Sequence, residues 1–340
     1  MKKGKASDWT IATLGSHSSL QILKGAKDEG FKTLIVTTTD RESFYRRFPF
    51  IDQFKVIPKF SDFGLIEAEL ASNKVIMIPH GSFVAYLGEE RNRNSTVPYF
   101  GNKKVLDWEG DRKMQMQWLQ DAKINVPKMF TKKDKIDRAV IVKSYGAAGG
   151  AGYFVAQNQA DFEKKLAHYS SRKYLVQEYV IGVPMYFHYF YSPLTKQIEL
   201  LSIDRRYETN VDSLGRLPLA HQESIPIVPS FVVVGNSPLV VRESLLPEVY
   251  AMAERLVASS QRLIDSRGLF GPFCLETIVT AEQKFYAVEV SCRIVAGTNL
   301  FIDSSPYASL LYDEPMSTGR RIAREIKLAK ASDRLSELLD

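Results

Sequence analysis

Three apolar runs near the N-terminus, each stopped by a turn, constrain this chain more than any other feature. Residues 9–13 (WTIAT) stop at Gly15-Ser16-His17-Ser18, and Leu20, Leu23 and Ala26 follow at helical spacing before Gly30. Residues 33–37 (TLIVT) and 74–78 (KVIMI) repeat the strand signal, the second ending in Pro79-His80-Gly81-Ser82. Strands that alternate with helices predict a parallel sheet covered on both faces. Ligands of such sheets bind beyond the carboxyl ends of strands, where His17 and Ser82 fall.

The chain has 340 residues, more than one hydrophobic core usually serves, so two or three lobes around a cleft are expected. Residues 103–123 read as a connecting helix closed by Val126-Pro127. A strand at 139–143 (AVIVK), another at 153–156, a helix near 160–168 and a strand at 174–179 (YLVQEY) then make a lobe small enough to move as a lid. Beyond Met185 the pattern is strand-rich, with an amphipathic helix from Leu245 to Val257 and closing strands at 273–278 (FCLETI) and 285–290 (FYAVEV). The expected division is residues 1–125, 126–182 and 183–340.

Charge and cysteine usage exclude several classes. The net charge is +6, but the densest basic block, Lys132, Lys133 and Lys135, is interleaved with Asp134 and Asp137, which reads as solvated surface and not as a nucleic-acid footprint. Cys274 and Cys292 lie in apolar strand-like runs and are expected to pack as free thiols in a reducing compartment. No apolar run suits a signal peptide or a membrane span, so a soluble cytoplasmic protein without a membrane partner is expected.

Two constellations carry the chemistry. The strand ending in Lys143 feeds SYGAAGGAG (residues 144–152), where Gly146, Gly149, Gly150 and Gly152 let backbone N–H groups approach phosphate oxygens beside the lysine charge. No Gly-Lys-Ser/Thr follows, so this is not a Walker A loop. Glu276 and Glu289 each lie near the end of an apolar run, where a carboxylate is costly unless paired or bound to a metal. Periodicity alone leaves open that one or both face solvent on an edge strand. His188 among aromatics (YFHYFY) reads as a packed histidine, and Arg320 and Arg321 as structural or solvated.

The order of strand-lysine, glycine-rich loop, QEYV, FCLE and E-x-S-x-R-x-x-G (Glu289, Ser291, Arg293, Gly297) resembles the ATP-grasp superfamily over residues 139–300. That resemblance implies an α/β fold with an N-terminal parallel-sheet lobe, a small lid and a C-terminal mixed-sheet lobe. Longer strings, among them ATLGSHSSLQILKGAKDEGF, IDRRYETNVD and RIVAGTNLF, are similar to the archaeal formate-dependent ligases of purine synthesis, the PurP-type 5-formaminoimidazole-4-carboxamide ribonucleotide synthetases. The family formylates the amine of aminoimidazole carboxamide ribonucleotide (AICAR) with ATP and formate. The resemblance implies that His17, Ser82 and Asn236 contact AICAR and that Glu208 touches ATP. It further implies that Glu276 and Glu289 hold Mg²⁺, or Mn²⁺ in its place. Lys143, Gly149, Gly150 and Gly152 would lie over the phosphates, and Gln177, Glu178, Tyr179 and Val180 beside adenine. Arg293, Thr298 and Asn299 are candidates for orienting formate, with Arg205 and Arg206 nearby, and a homo-oligomer is implied.

The chain departs from the family pattern at Ala148 and Ala151, where basic residues are expected, at Asp303-Ser304 in place of Asn-Gly, and at Asp107 in place of arginine. These departures leave two alternatives beside the formate ligase: a paralogue that joins a different small acid to an amine, and a purine-nucleotide sensor without turnover.

Overall fold

The computed structural model describes residues 9–131, 133–144, 153–168, 174–218, 221–222 and 232–340. Among these, the strands form three sheets. The first holds β1 (Thr10–Leu14), β2 (Lys32–Thr38), β3 (Gln53–Ile57) and β4 (Val75–Met77), all parallel in the order β3-β2-β1-β4. Every residue of β1 is buried, as a central parallel strand covered on both faces requires. The helix Ser19–Asp28 returns the chain from β1 to β2 with Ile22, Leu23 and Ala26 inward, and Gly30 takes the positive φ of +88° that ends the turn.

Against that helix lies the C-terminal helix Thr318–Ala331. The two backbones touch at glycines: a Cβ on Gly25 would fall 2.2 Å from the Arg320 nitrogen, and one on Gly319 would fall 2.3 Å from the Gln21 carbonyl oxygen. Beside this crossing, buried Glu29 accepts from Arg320 Nε (2.8 Å), Arg324 Nε (2.7 Å) and Lys327 Nζ (3.1 Å). The C-terminal segment is thereby joined to the N-terminal sheet.

The expected single helix over 103–123 is two helices, Lys103–Gly110 and Arg112–Asp121. Asp111 breaks it by capping the second helix, its Oδ1 accepting from the N–H groups of Lys113 (2.8 Å) and Met114 (3.0 Å). Trp118 on the second helix is fully buried and donates from Nε1 to the Leu256 carbonyl (3.0 Å).

The second sheet carries β5 (Met129–Phe130), β6 (Val140–Ser144), β7 (Tyr153–Ala156) and β8 (Tyr174–Glu178) in the order β5-β8-β6-β7. Its core is small, built on Phe130, Ile136, Val140, Val142, Ala156 and Val176.

The third sheet holds β9 (Val183–Ser192), β10 (Gln197–Glu208), β11 (Val233–Pro238), β12 (Gly271–Val279) and β13 (Phe285–Ser291), in the order β11-β10-β9-β12-β13. The mixed sheet expected here is antiparallel at every described pairing. Short hairpins join β9 to β10 and β12 to β13, through Lys196 and Gln283 at positive φ, and a hairpin sets its two strands antiparallel.

The two faces of this sheet differ. Phe187, Tyr189, Leu200, Ile203, Phe273 and Leu275 pack with Val249, Met252 and Leu256 of the helix Leu246–Leu263. The alternate residues form cross-strand rows on the opposite face: Glu276, Tyr186 and Asp204 in one, Cys274, His188 and Ser202 in the next. That face is apolar where Phe190 and Leu201 meet Ile11, Ile22 and Ile76 of the first lobe, and polar where the cleft opens. A bridge between His80 and Ile294 stitches the two sheets at the boundary. Both cysteines are unbonded, and no described helix is long and apolar enough to cross a membrane.

Candidate active site at the junction of the sheets

The carboxyl end of β1 turns sharply at Gly15-Ser16-His17, with His17 at a φ of 44°. Ser82, at the equivalent end of β4, brings its hydroxyl within 2.8 Å of His17 Nδ1, and Ser16 Oγ lies 3.0 Å from the same nitrogen. Tyr86 closes the corner, its hydroxyl 2.9 Å from Ser16 Oγ. Burial, and then the charge of Arg293, hold the His17 pKa below its ordinary value. A neutral ring has one nitrogen that donates and one that accepts, and either role at Nδ1 can be matched by a serine hydroxyl.

Beneath it lies His80, its ring parallel to that of His17 with centroids 5.8 Å apart. His80 is fully buried and both nitrogens are engaged: Nε2 donates to the Leu14 carbonyl (3.0 Å) and Nδ1 accepts from the Ser82 N–H (3.2 Å). Burial dominates and drives its pKa down to about 3, so it is a neutral strut under the turn.

Thr298 and Asn299 reach this turn from the other lobe. Asn299 Nδ2 donates to the His17 carbonyl (2.9 Å), and Gln21 Nε2 donates to Thr298 Oγ1 (3.2 Å). The Thr298 hydroxyl donates in turn to the Val295 carbonyl (2.7 Å) and is buried, so its hydrogen bonds are used within the protein.

Across the cleft, Glu276 on β12 stands opposite Glu289 on edge strand β13, immediately before a register shift at Thr277. Glu276 is buried and Glu289 is exposed. Burial, reinforced by the Glu289 charge, raises the Glu276 pKa although Arg206 opposes the shift. Arg206 Nη2 donates to Glu276 Oε1 at 2.5 Å and Nη1 to Oε2 at 3.2 Å, with the guanidinium 3.8 Å from the Tyr186 ring centroid. Glu276 pairs with Arg206, and Glu289 opposite it adds a second carboxylate, so the two can offer oxygen ligands to a divalent cation. Among the described residues no group of three or more His, Cys, Asp or Glu side chains converges to hold a metal alone. Mg²⁺ bound with phosphate oxygens needs no such group, so the two carboxylates fit it.

Lys143 lies one residue before the end of β6, with Nζ 3.3 Å from Gln177 Oε1. Burial and the nearby Arg112 lower its pKa, while the Glu289 charge works the other way. Glu178 points its carboxylate outward to the Lys128 N–H (3.0 Å) and Arg138 (3.1 Å), and Tyr179 is exposed. The N–H of Tyr179 donates to the Ala139 carbonyl (2.9 Å), so residues 178–180 run as an ordered backbone strap with half-buried Val180 at its end. Glu208 closes β10, its pKa raised by burial and by Asp212. Asn236 on β11 donates from Nδ2 to Asp204 Oδ2 (2.6 Å). Gly149, Gly150 and Gly152, with Ala148 and Ala151, lie outside the described residues.

Arg293 links the two sides of the cleft. Its Nη2 pairs with Glu109 Oε1 (2.6 Å), and Glu109 Oε2 accepts the Cys292 N–H (2.7 Å). Its positive charge acts on His17 and His80 on one side and on Glu276 on the other. Beside it opens a cavity of about 570 Å³ lined by Gly81, Asn92, Arg93, Asp107 and Glu109. Asp107 is paired there with Arg93 at 2.9 Å.

Pattern reading missed Asp204, Glu109, Tyr86 and Arg41. Asp204 had a signal, because Asp204, Arg206 and Glu208 form a period-two polar stripe on a strand whose neighbours are apolar. Glu109 had none, since its partner Arg293 lies in a segment far along the chain. Arg41 donates to the Gly15 carbonyl (3.1 Å) from a helix that nothing in the sequence ties to that turn.

Comparison with known proteins agrees over the whole length. A protein of Pyrococcus abyssi named 5-formaminoimidazole-4-carboxamide-1-(beta)-D-ribofuranosyl 5'-monophosphate synthetase is 50% identical over 337 residues, covering 97% of this chain and 98% of its own. One of the same name from Saccharolobus solfataricus is 47% identical, covering 96% and 98%. The chain belongs to this synthetase family. Family models described as a protein of unknown function (DUF1246) and a domain of unknown function (DUF1297) match residues 11–130 and 154–340. The crystal structure of the IMP biosynthesis protein PurP from Thermococcus kodakaraensis superposes with a TM-score of 0.78 at 33% identity, over 97% of this chain and 100% of that one. N5-carboxyaminoimidazole ribonucleotide synthetase from Thermotoga maritima shares the fold alone, with a TM-score of 0.62 at 17% identity over 94% and 76% of the two chains. The fold is that of the ATP-grasp ligases.

Proposed function

We propose that this chain is an ATP-dependent C–N ligase that formylates the 5-amine of AICAR with formate, producing the formamido ribonucleotide for which its relatives are named. The observation that carries the reading is the facing pair Glu276 and Glu289, across from the neutral His17–Ser82 corner and bridged to it by Arg293. Such a cleft suits a metal-nucleotide on one wall and a second substrate on the other.

Formate is a poor electrophile, and phosphoryl transfer from ATP converts it to formyl phosphate. The AICAR amine then attacks the formyl carbon and loses a proton as phosphate leaves with the acyl C–O bond. Arg293, held by Glu109, is placed to orient the formate carboxylate, and Lys143 to neutralise charge on the transferred phosphoryl group. Glu276 and Glu289 would hold Mg²⁺, or Mn²⁺, which when bound supplies charge neutralisation at the ATP phosphates. Residues 177–180 run beside adenine with Glu208 near the nucleotide, and the glycines Gly149, Gly150 and Gly152 are assigned to the ATP phosphates on their sequence motif alone. His17, Ser82 and Asn236 contact AICAR, while Thr298 and Asn299 support the His17 turn. In this reading residues 1–125 bind the ribonucleotide, 126–182 form the lid and 183–340 carry the metal carboxylates, in a cytoplasmic homo-oligomer.

One observation favours a second reading. The Asp107–Arg93 pair lines the cavity beside Arg293, where the family pattern has arginine, and a changed lining suits a different small acid. The test mixes purified protein with Mg-ATP, formate and AICAR and omits each in turn. Formylated product and ADP that require all three support the ligase. ADP that requires another carboxylic acid favours the paralogue, and AICAR binding without turnover refutes both.

A further inference from the structure

Asp204 sits at the centre of a buried polar triangle that the mechanism above does not use. Its side chain is 1% exposed and each oxygen has one donor: His188 Nε2 at 2.5 Å on Oδ1 and Asn236 Nδ2 at 2.6 Å on Oδ2. Gly297 forms the wall, because a Cβ there would fall 2.3 Å from Oδ1 and 2.9 Å from Oδ2. The carboxylate therefore has no freedom to turn.

The cluster is expensive. His188 Nδ1 and the hydroxyl of Ser202, its cross-strand neighbour, are buried with no hydrogen-bond partner. Buried polar atoms are costly to leave unmatched, so packing stability alone would favour apolar residues in this row.

Its geometry has a definite consequence at Asn236. Asn236 donates from Nδ2 to Asp204 Oδ2, so the amide turns its NH₂ toward Asp204 and its Oδ1 away. Asn236 is half-buried and lies opposite Arg206 on the face of the sheet that carries Arg206 to Glu276. We propose that Asp204, braced by His188 and Gly297, is a positioning residue that locks the Asn236 amide so that it presents an acceptor to the cleft. The group recognised there is then an N–H or O–H donor of the substrate, an exocyclic amine or a ribose hydroxyl, and a substrate offering an acceptor is rejected. This inference rests on the proposed binding of AICAR at Asn236.

A residue swap tests it. Asp204→Asn frees Asn236 to flip and present its NH₂, whereas Asn236→Asp sets two carboxylates against each other. The double variant restores the original pattern with the partners exchanged. In it the amide introduced at position 204 accepts from His188 and donates to the carboxylate introduced at position 236, whose second oxygen faces the cleft. Calorimetric titration should show each single variant binding AICAR at least about 10-fold more weakly, about 1.4 kcal/mol. ATP affinity should stay within about 2-fold, and the double variant should return to within about 3-fold of wild type for AICAR. In turnover the single variants should raise KM for AICAR and leave kcat nearly unchanged. Thermal unfolding run on all four proteins guards against a folding defect, and if Asp204→Asn does not fold, Asn236→Asp against the double variant gives the same comparison. Inosine monophosphate, which keeps the ribose and lacks the exocyclic amine, separates the two donors: a penalty on both ligands places the donor on the ribose, and one on AICAR alone places it on the base. Wild-type protein that does not bind AICAR would sink the functional reading and this inference with it. Wild-type binding with single variants unimpaired, or with no rescue in the double variant, would sink the inference alone.

Discussion

Two buried glutamates, one at each end of the molecule's charge scale, separate what holds this fold together from what it is built to do. Glu29 faces Arg320, Arg324 and Lys327; burial alone would push its carboxyl up, but hydrogen bonds from those cations outweigh it and bring the pKa down to about 2. Glu276 pairs with Arg206 and has a second carboxylate opposite it; burial and that like charge push its pKa up, although Arg206 and Arg293 oppose the shift. The same side chain is oversupplied with cations in one place and undersupplied in the other. A saturated carboxylate has no chemistry left, whereas an undersupplied one at the mouth of a cleft has capacity for a further cation.

The contrast is sharpened most by Glu289→Gln. Removing the like charge should leave thermal stability unchanged or slightly higher, yet cut Mg-dependent turnover by about 1000-fold, about 4 kcal/mol of transition-state stabilisation. A matched pair of melting curves and initial rates measures it, and full activity would remove both glutamates from metal binding. The opposite pattern is expected at the saturated site. Arg324→Met should lower unfolding stability by about 2–3 kcal/mol in denaturant titrations while activity per folded molecule stays at the wild-type level.

Acid provides the third comparison. The folded-state pKa of Glu29, about 2, lies below its ordinary value of 4.5, so its contribution is complete above pH 4.5 and is lost as pH falls toward 2. With partly exposed partners the loss should be about 2 kcal/mol, and Glu29→Gln should flatten that part of the stability profile. His80 adds to acid sensitivity over a different window, since a histidine held neutral loses stability as pH falls from 6.5 toward its folded value of about 3. The smallest effect belongs to the corner without a net charge. His17→Ala should raise KM for AICAR about 5- to 10-fold, about 1 kcal/mol, with kcat and melting temperature nearly constant. An unchanged KM would take His17 out of the site.

The site was legible to different depths. His17 and Ser82 follow strand-to-turn transitions, and Lys143 ends a strand before a glycine-rich loop, so local pattern was enough to nominate them. The pairing of Glu276 with Glu289 was only a possibility, because a one-residue change of register would have turned either one to the opposite face. Thr298 was expected beside substrate, and its hydroxyl donates to the Val295 carbonyl and accepts from Gln21. The helix break at Asp111 was missed because an apolar spacing that continues through a capping residue still looks helical.

By itself the sequence determined the periodicities: strands of period two, helices of period 3.6, glycines at left-handed turns, and the residue types able to carry phosphate or metal chemistry. These depend on interactions within a few residues, so they can be read from a window of that width. Only the tertiary structure decided that the C-terminal helix returns to the helix Ser19–Asp28, that Glu109 on a connecting helix holds Arg293, and that Asp204 orients Asn236. Each of those contacts joins segments far apart in the chain. Its free energy depends on burial and charge compensation created only when the sheets assemble, which no local window contains.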